Sequence, residues 1–336
     1  MTQQQYLRQF SCVIADASGN GLDFSDFQVR FNVRRGDYQA PNSCDVRIFN
    51  VADNTANQIQ NEFTQIVLQA GYEGSYGVIF LGTIKQVRKG RVDAKNSYVD
   101  VTAGDGDSAY NFATCSFSLA AGTTPANAVQ ALLQSLIAGS LKQQISAQST
   151  LPPLPTNGRV RGRVFYGMTR DAMRELCRSY GLKWSIQDGV ITLIPLTGYL
   201  PGPIPVLSPD TGLIGVPEQT QQGIEMRVLL NSNIKIGQLV QLQSASVNLN
   251  RYGLDTASQA INDGLAGQIK TNADGYYYVM VANHSGETRG NDWYTDLTCL
   301  AVDATLTSPF APPTIPIPAT TGPSAVPVPA GGGIIQ

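Results

Sequence analysis

Hydrophobic and polar positions alternate with a period of two through the first third of the chain. Phe10-Ser11-Cys12-Val13-Ile14, Phe27-Gln28-Val29-Arg30-Phe31-Asn32-Val33 and Cys44-Asp45-Val46-Arg47-Ile48 each place apolar side chains on one face of an extended segment. Such a pattern predicts strands with one buried face and one face left for water or a partner. A short helix is expected over Asp53 to Asn61, anchored by Ile59, with further strands at Thr64–Tyr72, Val78–Arg88 and Ser97–Ala103. These make a small antiparallel barrel that ends near Phe117.

The periodicity then changes. Thr124-Pro125 reads as an N-cap followed by proline at the first helical position. Val129, Leu132, Leu133 and Leu136 fall on one helical face, and Gly139 is placed to close that helix in left-handed geometry. After a Pro-rich loop at Leu151–Pro155, a strand is expected over Arg161–Tyr166. A second helix should follow, capped by Thr169, burying Met173, Leu176, Cys177 and Tyr180, and stopping at Gly181. Asp188-Gly189 between Lys183–Ile186 and Val190–Leu193 is a strong hairpin signal. Strand patterns return at Glu225–Leu230, Leu239–Gln243, Tyr276–His284 and Trp293–Val302. The Pro- and Gly-rich stretch Pro309–Gln336 is poor in core-forming positions and reads as an extended arm.

The two β regions echo one another. Phe63-Thr64-Gln65-Ile66-Val67-Leu68-Gln69-Ala70 aligns with Gly237-Gln238-Leu239-Val240-Gln241-Leu242-Gln243-Ser244, and Tyr98-Val99-Asp100-Val101-Thr102 with Tyr294-Thr295-Asp296-Leu297-Thr298. Short β patterns recur by chance, but two copies in the same order favour duplication.

Composition narrows the class. Only 14% of the 336 residues are charged and the net charge is −2, against about 25% charged residues in an ordinary soluble domain. A surface of amides and hydroxyls is buried against partners at low desolvation cost, which favours an assembly subunit. No global pull toward nucleic acid or anionic membrane follows from this charge. The N-terminal Met1-Thr2-Gln3-Gln4-Gln5 lacks the look of a signal peptide, and no apolar run reaches the ~18 residues of a membrane span. The five cysteines, Cys12, Cys44, Cys115, Cys177 and Cys299, are scattered without a Cys-x-x-Cys pair and read as reduced, buried thiols.

Candidate chemistry is sparse. His284 is the sole histidine, so any Ser-His or Cys-His machinery must use it, with Ser285, Glu287 or Asp292 beside it. No Gly-x-Ser-x-Gly elbow is present, and His284 reads as a structural or interface residue. Asp105-Gly106-Asp107 with Asn111 lacks the glycine and terminal glutamate of a calcium loop and reads as a turn. Ser232-Asn233-Ile234-Lys235 spells Ser-x-x-Lys but sits between strands rather than at a helix start. No cofactor or metal site is expected. Arg159, Arg161 and Arg163 alternate with Val160, Gly162 and Val164; in a strand they would share one cationic face, either gripping acidic groups of a neighbour or simply solvated.

The run Val67-Leu68-Gln69-Ala70-Gly71-Tyr72-Glu73-Gly74, through Ile79-Phe80-Leu81-Gly82-Thr83-Ile84, to Tyr98-Val99-Asp100-Val101-Thr102-Ala103-Gly104-Asp105-Gly106-Asp107 resembles the first tube-type barrel of contractile-phage baseplate hub proteins, the late-control-gene-D-like tail proteins. His284-Ser285-Gly286-Glu287-Thr288-Arg289-Gly290-Asn291-Asp292-Trp293-Tyr294-Thr295 is similar to the end of their second barrel. The resemblance covers most of residues 5–305 and carries no catalytic fingerprint. It implies a mainly β fold with an α+β insertion: two tube-type antiparallel β-barrels at 1–118 and 217–308, an α+β domain at 119–216, and the extension 309–336.

The resemblance further implies a homotrimer, a pseudo-six-fold ring that joins a six-fold tail tube to a three-fold central spike at the tip of a virion tail. Its other partners would be a distal tube-initiator protein, baseplate wedge proteins and a tape-measure protein, with DNA passing through the channel unbound and no membrane. Arg159, Arg161, Arg163, His284, Arg289 and Trp293 are then the candidate interface residues. A tail-associated peptidoglycan hydrolase, with paired carboxylates converging in the fold, and the hub of a phage-derived secretion or bacteriocin particle are the alternatives.

Overall fold

A computed structural model describes residues 7–16, 18–140, 143–220, 223–243, 248–249 and 275–302. The expected arm at Pro309–Gln336 therefore lies outside the described residues. The first half contributes β1 (Arg8–Ala15), β2 (Gly21–Asp23), β3 (Val29–Gly36), β4 (Ser43–Phe49), α1 (Asp53–Asn61), β5 (Gln65–Tyr72), β6 (Gly77–Arg91) and β7 (Ser97–Gly104). The period-two reading holds in β1, β3 and β4. In β4, for example, Cys44, Val46 and Ile48 are buried and the intervening residues are not. Ile59 anchors α1 as expected, wholly buried with Ala56.

Between the β regions lie α2 (Asp107–Phe112), β8 (Thr114–Leu119), α3 (Pro125–Ala138), β9 (Ser146–Ala147), β10 (Arg163–Met168), α4 (Thr169–Ser179), β11 (Leu182–Gln187) and β12 (Val190–Pro195). Thr124 caps α3 by accepting a hydrogen bond from the Asn127 backbone N–H at 3.3 Å. Two terminal details differ from the sequence reading. Gly139 keeps a right-handed φ of −76°, and it is space that selects glycine there: a Cβ would lie 2.4 Å from that of Ala113. Thr169 is the first residue of α4 rather than its cap, because β10 runs straight into the helix at Met168. Asp188 and Gly189 have φ of 52° and 76°, the paired positive values of a tight hairpin turn. Helices and hairpin enclose their own core around Leu132, Leu136, Met173, Leu176, Trp184 and Leu193.

The last stretch supplies β13 (Val206–Leu207), β14 (Leu213–Thr220), β15 (Gly223–Leu229), β16 (Leu239–Leu242), β17 (Asn248–Leu249), β18 (Gly275–Glu287) and β19 (Trp293–Ala301). Sheet pairing repeats the order of the first half: β3-β4-β7-β6-β5 there, β14-β15-β19-β18-β16 here. Even an irregularity recurs. The β6–β7 ladder slips by one residue between Ile84 and Gln86, and the β18–β19 ladder between Val279 and Val281. Counting from Asp100 and Asp296, these bulges superpose, and Gln65 opposite Thr83 then corresponds to Leu239 opposite Tyr278. That is the alignment of the sequence echo, residue for residue.

Both halves belong to one fourteen-stranded sheet because β18 pairs along its far edge with β16 and then with β3. The first half curls until its terminal strands touch. Phe10 of β1 stacks on Phe31 of β3 at 5.5 Å, and Trp293 of β19 sets its edge against both rings at 6.2 and 5.4 Å. Trp293 is thus a second-half residue built into the first-half core, along with Leu230. Truncation of Trp293 to alanine should destabilise the chain by about 3–5 kcal/mol, measured by chemical denaturation, with loss of native signal from both halves together.

Candidate assembly interface

The face of the sheet opposite the core is polar and continuous across both halves. Directly opposed residues share a face. Register therefore places Glu287 and Asn283 of β18, Arg30, Asn32 and Arg34 of β3, Asp45 and Arg47 of β4, and Asp100 and Thr102 of β7 side by side. The row continues through Asp296 of β19 to Arg227 and Glu225 of β15. Apart from Glu225, its charges are matched in pairs: Arg30–Glu287 at 2.8 Å, Arg34–Asp45 at 2.9 Å, Arg47–Asp100 at 2.7 Å and Arg227–Asp296 at 2.6 Å.

Two of these pairs are one site made twice. Arg47 meets Asp100 through two hydrogen bonds and lies over the Tyr98 ring at 4.1 Å. Arg227 meets Asp296 through two hydrogen bonds and lies over Tyr294 at 5.4 Å. The bidentate carboxylate holds each guanidinium pKa above its usual value. The echoed Tyr-x-Asp-x-Thr strands carried half of this signal. The other half, an acid-x-Arg spelling in Asp45-Val46-Arg47 and Glu225-Met226-Arg227, is legible only once β4 and β15 are known to be equivalent.

Beneath the polar face, a buried polar cluster ties the helical domain to the sheet. Arg35, 3% exposed, donates to Asp188 at 2.9 Å and to the Ile79 carbonyl at 3.3 Å. Lys235 reaches the same Asp188 at 3.4 Å and the Val78 carbonyl at 3.2 Å. Burial acts to raise the Asp188 pKa, but Arg35 and Lys235 outweigh it and hold the carboxyl below its ordinary value. Asn42 donates to the Ile186 carbonyl, and Lys183 and the Tyr278 hydroxyl both bond Asp37. Ser232 donates to the Ser75 carbonyl at 2.7 Å, so the Ser-x-x-Lys spelling is a pair of structural ties. Asp105 accepts from Gln143 and from the Gly189 N–H at 2.9 and 3.0 Å. Burial raises its pKa to about 6 against these hydrogen bonds.

The sequence-predicted interface residues do not form one surface. His284 is 1% exposed, its Nδ1 2.9 Å from the Thr295 hydroxyl. Burial, with Arg35 and Lys235 adding to it, lowers its pKa to about 3, so it is neutral and enclosed. Trp293 is core, as described above. Arg289 is exposed, its guanidinium 3.4 Å from the Asp26 carbonyl. Arg159, Arg161 and Arg163 line one cavity with Glu175 and Ser179, but not as one face of a strand. Only Arg163 lies in a strand; Arg159 exchanges backbone bonds with Gly122 and Thr123 ahead of β10. Arg163 pairs with Glu175 and lies over Phe165, Arg159 reaches the Tyr180 hydroxyl, and Arg161 is exposed.

Two pH responses of opposite sign follow. Protonated Asp105 is favoured by folding, so its contribution is lost as pH rises from about 4 through about 6. Asp105→Asn, which keeps the accepting oxygen, should gain on wild type over that window and reach an advantage of about 1–3 kcal/mol at pH 7. Neutral His284 is favoured by folding, so its contribution is lost as pH falls from about 6.5 toward 3. His284→Gln should lose stability less steeply over that range. Denaturant midpoints at pH 4, 5, 6 and 7 measure both; a pH-independent difference for either variant contradicts its assignment.

No protein-family model matches the sequence, and no curated protein matches it significantly. Solved structures do. A tail protein from Neisseria meningitidis MC58 superposes with a TM-score of 0.54 at 11% identity, covering 90% of this chain and 98% of its own. The 43 kDa tail protein of prophage MuSo2 from Shewanella oneidensis gives 0.55 at 7% identity, covering 90% and 99%. An Escherichia coli component of the type VI secretion system, described as structurally similar to phage T4 tail proteins, gives 0.53 at 10% identity over 82% and 74%. The chain has the fold of these tail proteins.

Proposed function

We propose that the chain is a structural hub of a contractile-tail baseplate, in which three copies form a pseudo-six-fold ring between a six-fold tail tube and a three-fold spike. The observation that carries this reading is the duplication: one strand order, one bulge and one Arg–Asp–Tyr cluster made twice in a single chain. Three such chains present six similar sheets, which is what a joint between six-fold and three-fold objects requires. The first and second sheets, near 1–118 and 217–308, are the repeating units, and 119–216 is an insertion between them. The fold shared with tail proteins supports the same reading.

The polar face suits a channel lining. A duplex passing a cationic wall would be held by its phosphates, whereas guanidinium groups already paired with carboxylates leave little net field. Exposed pairs of this kind add only about 0–1 kcal/mol each to stability, so their value here is neutrality rather than rigidity. Catalysis is not part of this reading: the one imidazole is sealed and neutral, and the Ser232 and Lys235 side chains are occupied as ties. Tube, spike, wedge and tape-measure proteins are the partners, with exposed Arg161 and Arg289 available to them, in a virion tail. A phage-derived contractile particle would use the same geometry, as the type VI likeness illustrates.

A reconstruction of the assembled tail tip should show three copies around one axis, with Arg47 and Arg227 lining the same channel at alternating 60° steps. A stoichiometry other than three, or these arginines on the outer wall, would overturn the reading. Turbidity assays on purified cell walls should show no lysis; lysis abolished by one Asp or Glu substitution would favour the hydrolase.

A further inference from the structure

Arginines gather on the helical domain. From Arg159 to Arg178 there are six, against two acids, Asp171 and Glu175, in a chain whose net charge is −2. Four of the six are engaged. Arg163 pairs with Glu175 at 2.8 Å, Arg170 donates to the Asn111 side chain at 2.9 Å, Arg174 to Gln39 and Asp171, and Arg159 to the neutral Tyr180 hydroxyl. Arg161 and Arg178 are exposed and make no ion pair among the described residues.

Arg159, Val160, Arg161 and Arg163 line an open cavity of about 600 Å³ with Glu175 and Ser179 of α4. Three arginines thus share this cavity with one carboxylate, which Arg163 already holds. The Arg159 backbone is fixed there: its N–H donates to the Thr123 carbonyl at 3.1 Å, and its carbonyl accepts from the Gly122 N–H at 2.7 Å. A cation presented from a fixed backbone loses less freedom on binding an anion. None of the six is lysine, and the planar fork of arginine matches a carboxylate with two parallel hydrogen bonds.

Apolar side chains adjoin the cavity. Val160, part of its lining, is 93% exposed, and Val164 and Tyr166 of β10 are 74% and 88% exposed. β8 and β10 form a two-stranded ribbon whose inner face carries Cys115, Phe117 and Phe165, the two ring centroids 5.2 Å apart. On the outer face Val164 lies opposite Ser118 and Tyr166 opposite Ser116, both serines exposed. Strand alternation is met by small polar residues on the outer face of β8, so it does not by itself require valine and tyrosine on that of β10. Exposed apolar and tyrosine side chains beside arginine, with lysine absent, match the composition of protein interfaces.

We propose that this surface docks an acidic, aliphatic segment of another protein. Carboxylates of that segment enter the cavity onto Arg159 and Arg161, and its aliphatic side chains cover Val160, Val164 and Tyr166. The unmatched guanidinium groups demand negative charge, and the exposed valines and tyrosine demand apolar cover. A nucleic acid would engage the arginines through its phosphates but leave the two valines wet. The proposal rests on the tail reading for the place where the partner is met, and not on the number of copies in the ring.

The test uses the full chain. Its first probe is a fluorescein-labelled peptide of repeated Glu-Leu-Asp, followed by fluorescence anisotropy. Wild type should bind it, and less tightly as salt is raised. Arg161→Glu should weaken binding about tenfold or more, as should Val164→Ser with Tyr166→Ser. Circular dichroism and thermal melts of these variants should match wild type, since the altered side chains are exposed. An absence of binding, or binding that neither variant weakens, overturns the proposal. So does polyglutamate or oligothymidine binding as tightly as the leucine-bearing peptide. A second measurement is a reconstruction of the assembled tail tip, where another protein should cover Val164 and Tyr166 and place an acidic side chain at Arg161. A bare face there, or a second copy of this chain on it, overturns the docking site and leaves the hub reading intact. An acidic segment on this face in a ring of another size keeps the docking site and removes the three-fold reading.

Discussion

The backbone of one long strand, β18, has to be satisfied along both edges, and the rest of the structure is arranged around how that is done. A buried peptide group without a partner costs about as much as a lost hydrogen bond. Over Val281–Glu287 the groups on one edge go to β3, more than 240 residues earlier in the chain. That ladder turns two similar half-sheets into one sheet. It also carries Trp293 and Leu230 into a core otherwise made by the first half, so the halves are coupled by packing as well as by hydrogen bonds.

The helical domain is fastened to this sheet by different physics. Its own core is apolar and self-contained, and its attachment runs through Arg35, Lys235, Asp188, Asn42, Asp37 and Lys183. Buried charges of this kind add little stability over well-packed apolar groups, yet breaking one partner leaves a costly orphan. They hold the hairpin tip at Asp188-Gly189 in one orientation, where a purely apolar contact would tolerate sliding. His284 lies within the field of this cluster. It is at once part of the sheet core and close to the tie between domains, which accounts for its enclosure.

The polar face follows from the repetition of one strand order in the two halves. Copying the sheet copied the Arg–Asp–Tyr cluster, and the pairs kept that face near neutral.

The period-two pattern, the Thr124-Pro125 cap, the Asp188-Gly189 turn and the echo between 63–70 and 237–244 were legible in the sequence because each depends on neighbours a few residues away. Strand alternation, capping and hairpin chemistry are local, and a duplication preserves them twice. The placement of side chains across the sheet was not legible. Trp293 and His284 looked available beside a polar Gly-Glu-Thr-Arg-Gly turn, and the fold enclosed both, because β19 and β18 turn those positions toward a core completed by Phe10 and Phe31. Arg159 and Arg161 read as strand residues and fell outside β10, which begins only at Arg163. Sequence by itself determined which segments are strands and that they come in two sets. Tertiary structure alone decided which edges are joined, because the pairing of β18 with β3 is made between residues more than 240 positions apart and no local pattern records it.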